Sequence, residues 1–414
     1  MVNFKRQKAL ISSIDWDYFH INDRSSLNFK KTADITPSTN TIAVPKSGYC
    51  GAVLGADGHV YFIPSTNDYV LKLHPEDDSI VHKEDDVTSG MKTYSDGVTY
   101  DGTMRLTTSD GTNTIGIGTD LYAFAGGVLA PNGYIYCIPH YSNKVVKINT
   151  NYGSSNYGKL SVVGGEITID VCESGSNGKW WGGVLAPNGK IYCAPYNACW
   201  VLVIDTNTDT ISYLGEGNTS NKFNNDNLDT SYSEKYCRGA CITKNGTIVF
   251  APHNAYLVPY MKPPYDEVLF SSKKIDGQYK FDGAAMHNNF IVFAPYKKTT
   301  GFYAFEPDTD SLYTLPTSFQ DEYYSGIVLG PDQCYYLIPS GATQPFRVFG
   351  TNASFGTSNS SSSKWSGGVL APNGSIYCVD FINLPEGEEA SMDPTRCRNV
   401  SRAIVMGILD WLAE

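Results

Sequence analysis

Seven times along this chain a Gly-led apolar run reaches an Asn-Gly-type step and returns as an aromatic and aliphatic run that, in most copies, ends in Pro. The plainest copies are Gly127–Pro139 (GVLAPNGYIYCIP) and Gly183–Pro195 (GVLAPNGKIYCAP), and the others begin at Gly51, Gly239, Gly283, Gly326 and Gly368. Their leading glycines are 76, 56, 56, 44, 43 and 42 residues apart. Such a period, built from short strands without helical periodicity, belongs to a radial array of sheets rather than to a string of independent domains.

The expected fold is therefore all-β: a seven-bladed β-propeller of four-stranded antiparallel blades over residues 47–381. In the best-defined copy the strands read as Gly-Gly-Val-Leu (A), Ile-Tyr-Cys-Ala (B), Val201–Asp205 (C) and Thr210–Leu214 (D). Asn132-Gly133, Asn188-Gly189, Asn245-Gly246 and Asn373-Gly374 mark tight A–B hairpins, because Asn and Gly accept positive φ. With strand A innermost, its glycines have a mechanical purpose, since strands converging on the axis leave no room for side chains. The stretch 91–120, rich in Gly, Thr, Ser and Asp, reads as a long loop or an extra hairpin on the first blade.

The termini need a separate account. Residues 1–46 form an N-terminal arm, in which Leu27–Ile35 or Thr41–Val44 could supply a strand that closes the last blade and removes its exposed edge. In the tail, 382–414, the apolar spacing of Ile404, Ile408, Trp411 and Leu412 predicts a docking helix.

Composition excludes several functions. A net charge of -11 argues against a nucleic-acid partner, which requires a concentrated basic surface. No apolar run approaches the roughly 20 residues of a membrane span, so no membrane insertion is expected. The N-terminus carries no signal-peptide pattern, which points to synthesis in a cytoplasm. Of the ten cysteines, Cys137, Cys193 and Cys378 share one strand position and read as buried, reduced thiols; Cys237 and Cys241 are the pair to test for a bridge. The acidic C–D turns, such as Asp205–Asp209 and Glu306–Asp310, lack the Gly and distal Glu of an EF-hand loop and read as turn chemistry, so no metal or other cofactor is expected.

A recognition face is expected where strand B ends, because there the B–C loops and D–A connections surround the central opening. That position holds Ser65, His140, Tyr196, His253, Tyr296, Ser340 and Phe381, followed by Thr66, Tyr141, Asn197, Asn254, Lys297, Gly341 and Ile382. Trp180, Trp181, Tyr236, Arg238, Phe281, Asp282, Tyr324 and Trp365 arrive from the D–A side. Aromatic faces beside amides and hydroxyls suit a sugar or a peptide. The competing reading makes the same residues caps that seal strand ends between blades. For catalysis the material is thin: His140 and His253 with Asp282 and Asp380, and no HExxH, CxxC pair, GxSxG, P-loop or dinucleotide fingerprint.

In blade length and number the chain resembles propellers of the Kelch and WD40 type, without their signatures. The phrase WxGGVLAPNGxIYxxP, present from Trp180 to Pro195 and again from Trp365, is similar to repeats in uncharacterised propeller proteins of bacteria, protists and tailed phages. That resemblance implies a binding or assembly module and transfers no catalytic residue. The expected function is non-catalytic: a virion-associated propeller of a phage tail or head, contacting other virion proteins through its termini and presenting its recognition face, the His140 to Lys297 sector, to host glycan or a partner protein. The alternatives are an intracellular protein-interaction scaffold and a polysaccharide-processing hydrolase or lyase.

Overall fold

Each blade begins with a strand that leaves a common mouth, and the returning strand brings the chain back to it; in the first four blades the turn between them is Asp57-Gly58, Asn132-Gly133, Asn188-Gly189 or Asn245-Gly246, each with its glycine at positive φ. The computed structural model describes residues 38–43, 48–65, 70–75, 79–81, 92–93, 99–100, 122–168, 178–214, 223, 236–287, 290, 291–296, 302–315, 323–330, 334–340, 346–349, 352–355, 365–371, 376–380 and 402–407. Among these residues are seven four-stranded antiparallel sheets and one two-stranded ladder, Lys92–Thr93 with Thr99–Tyr100. That ladder lies in the stretch 91–120 read as a long loop or an extra hairpin. Blades 1 to 6 follow the chain in the order A, B, C, D. In blade 3 the four strands are Trp180–Leu185, Lys190–Pro195, Leu202–Asp205 and Thr210–Tyr213, matching the sequence reading.

Blade 7 is assembled from both ends of the chain. Trp365–Leu370 and Ile376–Asp380 are followed in the sheet by Arg402–Gly407 and then by Ser38–Ala43. The closing strand from the N-terminal arm is thus Ser38–Ala43, overlapping the expected Thr41–Val44; Leu27–Ile35 lies outside the described residues. The tail departs from the expected helix, because Arg402–Gly407 is a strand in register Ile376↔Met406 and Cys378↔Ile404. The physical reason is the open edge of Ile376–Asp380, whose backbone groups need partners, together with the β-branched pair Ile404 and Val405. Ile408, Trp411 and Leu412 lie outside the described residues.

Seven glycines close the ring. Gly51, Gly126, Gly182, Gly239, Gly283, Gly326 and Gly367 all have φ between +61° and +114°. A β-carbon on any of them would lie between 2.9 and 3.6 Å from the α-carbon of the next, and the series returns from Gly367 to Gly51. No other residue satisfies both the left-handed backbone and this approach. In the three Gly-Gly blades the axial residue is one position earlier than the Gly127, Gly183 and Gly368 phase of the repeat. Those second glycines instead meet the side chains of Ile63, Ile138 and Ile338 on the preceding blade.

Every inner strand carries a register shift at this point, for example between Trp180 and Gly183 and between Cys237 and Ala240. A bulge of this kind re-aims one side chain. Residues two before the axial glycine, among them Tyr49, Phe124, Trp180, Phe281, Tyr324 and Trp365, are all buried between blades. Trp180 donates its indole N–H to Trp200 O at 2.8 Å and stacks on Tyr213. Cys237, which occupies the same place in blade 4, is a free thiol, as is Cys241. The two are not bridged, since four residues along one strand at roughly 3.3 Å each exceeds the ~7 Å disulfide limit. Cys199, by contrast, is disulfide-bonded.

At the hairpin end the repeat explains itself. Asn132 donates to the hydroxyl of Tyr136 at 2.9 Å, Asn188 does the same to Tyr192 at 2.9 Å, and Tyr61 donates to Asp57 at 2.7 Å. The Asn-Gly-x-Ile-Tyr phrase is therefore a turn locked by its own tyrosine. Asn132 and Tyr136 also reach Thr206 O and Asp209 in the C–D turn of the next blade, which ties neighbouring blades together. Asp209 and Asp310, at φ 54° and 51°, are left-handed turn residues, in keeping with turn chemistry.

Candidate functional site

The bulge gathers the residue before each axial glycine at the mouth. These residues are Cys50, Ala125, Trp181, Arg238, Asp282, Ser325 and Ser366, and all are buried. Arg238 is their centre. Its Nη1 lies 3.2 Å from Asp282 Oδ2 and its Nη2 donates to the Tyr196 hydroxyl at 3.2 Å, while the guanidinium carbon sits 4.3 Å from the Trp181 ring centre. Tyr196 and Tyr296 flank the same guanidinium at 5.2 and 5.1 Å. Ser325 donates to Asp282 at 2.7 Å, and across the mouth the Cys50 thiol lies 3.6 Å from the Ser366 hydroxyl.

Burial works against the Arg238 charge, but Tyr196, Asp282 and Tyr296 outweigh it, and the guanidinium stays a cation. Burial also pushes the Asp282 carboxyl up, opposed by Arg238 and Ser325. Burial raises the Cys50 thiol to about 12, so it is no nucleophile at neutral pH.

Around this plug the rings form an unbroken chain. Tyr122 contacts Tyr141 at 5.7 Å between centres, Tyr141 contacts His140 at 5.0 Å, and His140 meets both Trp181 and Tyr196 at 5.1 and 5.2 Å. The chain continues from Tyr196 to His253 at 6.4 Å, from His253 to Tyr279 and Tyr296 at 5.3 Å each, and from Tyr296 to Tyr323 at 5.8 Å. It spans the loops of blades 2 to 6.

The expected sector is brought together, but its middle is not a surface. His140, Tyr196 and His253 are 5%, 4% and 0% exposed, and Asn197 and Asn254 are buried. The histidines clamp blades. Nδ1 of His140 lies 3.0 Å from Trp180 O on the next blade, and Nδ1 of His253 lies 2.9 Å from Phe281 O. A carbonyl only accepts, so each Nδ1 carries the proton. Asn254 accepts from the Tyr279 amide at 2.9 Å, a cap of the same kind. Trp180 and Trp365 leave the face altogether and pack between blades. Trp181 stays at the mouth. Lys297, Phe381, Thr66, Gly341 and Ile382 lie outside the described residues.

What the face does present is a rim of Tyr122, Tyr141, Tyr279 and Tyr296, partly exposed, and Tyr323 at 42% exposure. Tyr122, Tyr279 and Tyr323 escaped the sequence reading because they lie in the D–A connections, outside the repeated phrase. Their signal was position, three or four residues before an axial glycine. Lys179 has the same placement; it is buried, donates to Tyr141 O at 3.0 Å, and burial pulls its ammonium down to about 8. At the opposite end of the ring an open groove of about 530 Å³ runs between blades 3 and 4, bounded by Pro187, Lys244, Pro263 and Tyr265.

No family model matches the sequence, and no curated protein matches it. Solved structures do. A streptogramin B lyase aligns with TM-score 0.59 and 10% identity over 90% of this chain and 98% of its own. A catalytically inactive virginiamycin B lyase from Staphylococcus aureus, solved with quinupristin, gives 0.59 and 9% over 90% of this chain and 100% of its own. The extracellular domain of a hybrid two component system from B. thetaiotaomicron gives 0.52 and 11%, covering 83% of this chain and 40% of that one. The likeness is one of fold. It fits a β-propeller, and fold alone assigns no activity.

Proposed function

We propose that this propeller is a non-catalytic binding module that takes a sugar-containing ligand at the tyrosine rim of its mouth. The observation that carries this reading is the unbroken ring chain from Tyr122 to Tyr323, exposed at the rim and immobilised beneath by Arg238, Asp282 and the histidine clamps. Tyrosine offers a flat apolar face for a sugar ring and a hydroxyl for its edge, and a rim held from below loses little entropy on binding. We place it, as the sequence reading does, on a viral tail or head. The Tyr-, Asn-, Ser- and Gly-rich loops support that setting, as does the pairing of Ser38–Ala43 with Arg402–Gly407 in one blade, which brings the two flanks of the propeller to one side for attachment to a larger particle.

A hydrolase or lyase at the same mouth would use the Nε2 lone pair that each histidine retains when Nδ1 is protonated. Against it stands burial: His253 at 0% exposure cannot reach a substrate proton without opening the rim.

The test is an oligosaccharide array probed with wild-type protein and with Tyr279→Ala/Tyr323→Ala, both checked by thermal melting. Binding that is selective and at least about tenfold weaker in the folded variant supports the reading. Binding unchanged in the variant, or none to any sugar, sinks it.

A further inference from the structure

The cations of the mouth are not equally satisfied. Arg238 has Asp282 as its counter-ion. Lys280, which holds the equivalent place in blade 5, is fully buried and donates to Gly277 O at 2.7 Å. Lys179 retains 9% exposure, and its one acceptor among the described residues is a neutral carbonyl, Tyr141 O at 3.0 Å. An ammonium has three donors, so two remain for another partner. No neighbouring amide competes for a ligand, because the N–H groups of Tyr196, Asn197 and Ala198 are all directed to the Lys179 carbonyl.

A desolvated cation with no carboxylate beside it among the described residues is costly, in a chain that carries 42 acidic residues against 31 basic ones. The loss of solvation that pulls its pKa to about 8 has the same origin. Such a group is paid back when a ligand brings the missing charge. Beside it the rings of Tyr141 and Tyr122 pack together at the rim, so a charge on Lys179 and a stacking face lie within one sector of the mouth.

Resting on the sugar reading above, we infer that the ligand is an acidic sugar, whose carboxylate pairs with Lys179 while its ring lies against Tyr122 and Tyr141. Charge-assisted hydrogen bonds of this kind are about twice as strong as neutral ones.

The experiment is calorimetric titration, at low salt, of two matched pairs: lactose against sialyllactose, and a galactose trisaccharide against its galacturonate counterpart. In wild type the acidic member of at least one pair should bind about tenfold more tightly. Lys179→Met should erase that preference while keeping the affinity for the neutral member, and Lys179→Arg should retain most of it. The retained neutral affinity shows that the Met variant is folded and its rim intact. Equal affinity for neutral and acidic members, or a preference that survives Lys179→Met, overturns this inference and leaves the sugar reading standing. Silence of all four probes overturns both.

Discussion

The two ends of the ring use the repeat differently. At the hairpin end, blades 1, 2 and 3 solve the same problem the same way, with an Asp or Asn at the turn bonded to a tyrosine four residues on. At the mouth the equivalent positions hold Cys50, Ala125, Trp181, Arg238, Asp282, Ser325 and Ser366, and no two neighbouring blades from the second to the fifth agree. The turn bond recurs from blade to blade, whereas the mouth varies, as the proposed binding of one ligand would require, since a single ligand breaks the pseudo-symmetry of the ring. The mouth is correspondingly lopsided, with Trp181, Arg238 and the aromatic chain on one side and small Ser, Cys and Ala residues on the other.

The largest expected effect lies where the two ends meet, at the axis. Gly239→Val puts a side chain 3.1 Å from the Gly283 α-carbon on a backbone at φ 93° and should cost more than about 3 kcal/mol, or prevent folding. Gly153→Ala, at φ 83° with nothing within 4 Å, should cost only ~1–2 kcal/mol. Chemical denaturation of both variants compares them, and equal losses would mean that backbone conformation, not ring closure, fixes the axial glycines.

Next comes the buried pair at the mouth. Arg238→Met strands Asp282 and should lower stability by about 3–5 kcal/mol, with part of the loss recovered in Arg238→Met/Asp282→Leu. A double variant as unstable as the sum of the single ones would show that the two charges are not coupled.

At the hairpin end the charged cluster of blade 1 offers a pH signature. Burial works against the Asp57 carboxylate, but His59, Lys72 and Tyr157 outweigh it and hold its pKa below the ordinary 3.8. A depressed carboxyl stabilises the fold above its unfolded pKa and loses that contribution as pH falls through the folded value. The melting-temperature gap between wild type and Asp57→Asn should therefore be full at pH 7 and shrink only below about pH 4. A gap that is constant down to pH 2 would remove Asp57 from the acid response. Smaller still, Tyr192→Phe should cost about 1 kcal/mol by removing the Asn188 bond, with no change in sugar binding.

The sequence made the periodic part legible. Asn-Gly turns, alternating strands and converging glycines specify four-stranded blades, and the arm residues near Thr41 close the last one. The tail was misread because the spacing of Ile404 and Ile408 fits a helix, while the edge that recruits Arg402–Gly407 is a tertiary demand absent from local pattern. At the site, position after strand B brings His140, Tyr196, His253 and Tyr296 to the mouth, but the exposed face expected of them is not there for the first three, which are buried. Position could not tell a side chain that faces solvent from one that clamps the next blade, because both follow the same strand end. Trp180 and Trp181 show the limit most plainly: they are adjacent in sequence, and the bulge sends one to the core between blades and the other to the axis.

The central claim is that recognition belongs to the mouth and not to the repeated end. The most direct measurement compares sugar binding by two folded double variants, Tyr141→Ala/Tyr323→Ala at the rim and Asn188→Ala/Lys244→Ala beside the groove at the hairpin end. The account expects the rim variant to lose binding by tenfold or more, about 1.4 kcal/mol, while the groove variant binds as wild type does. Loss in the groove variant, with the rim variant unaffected, would contradict it.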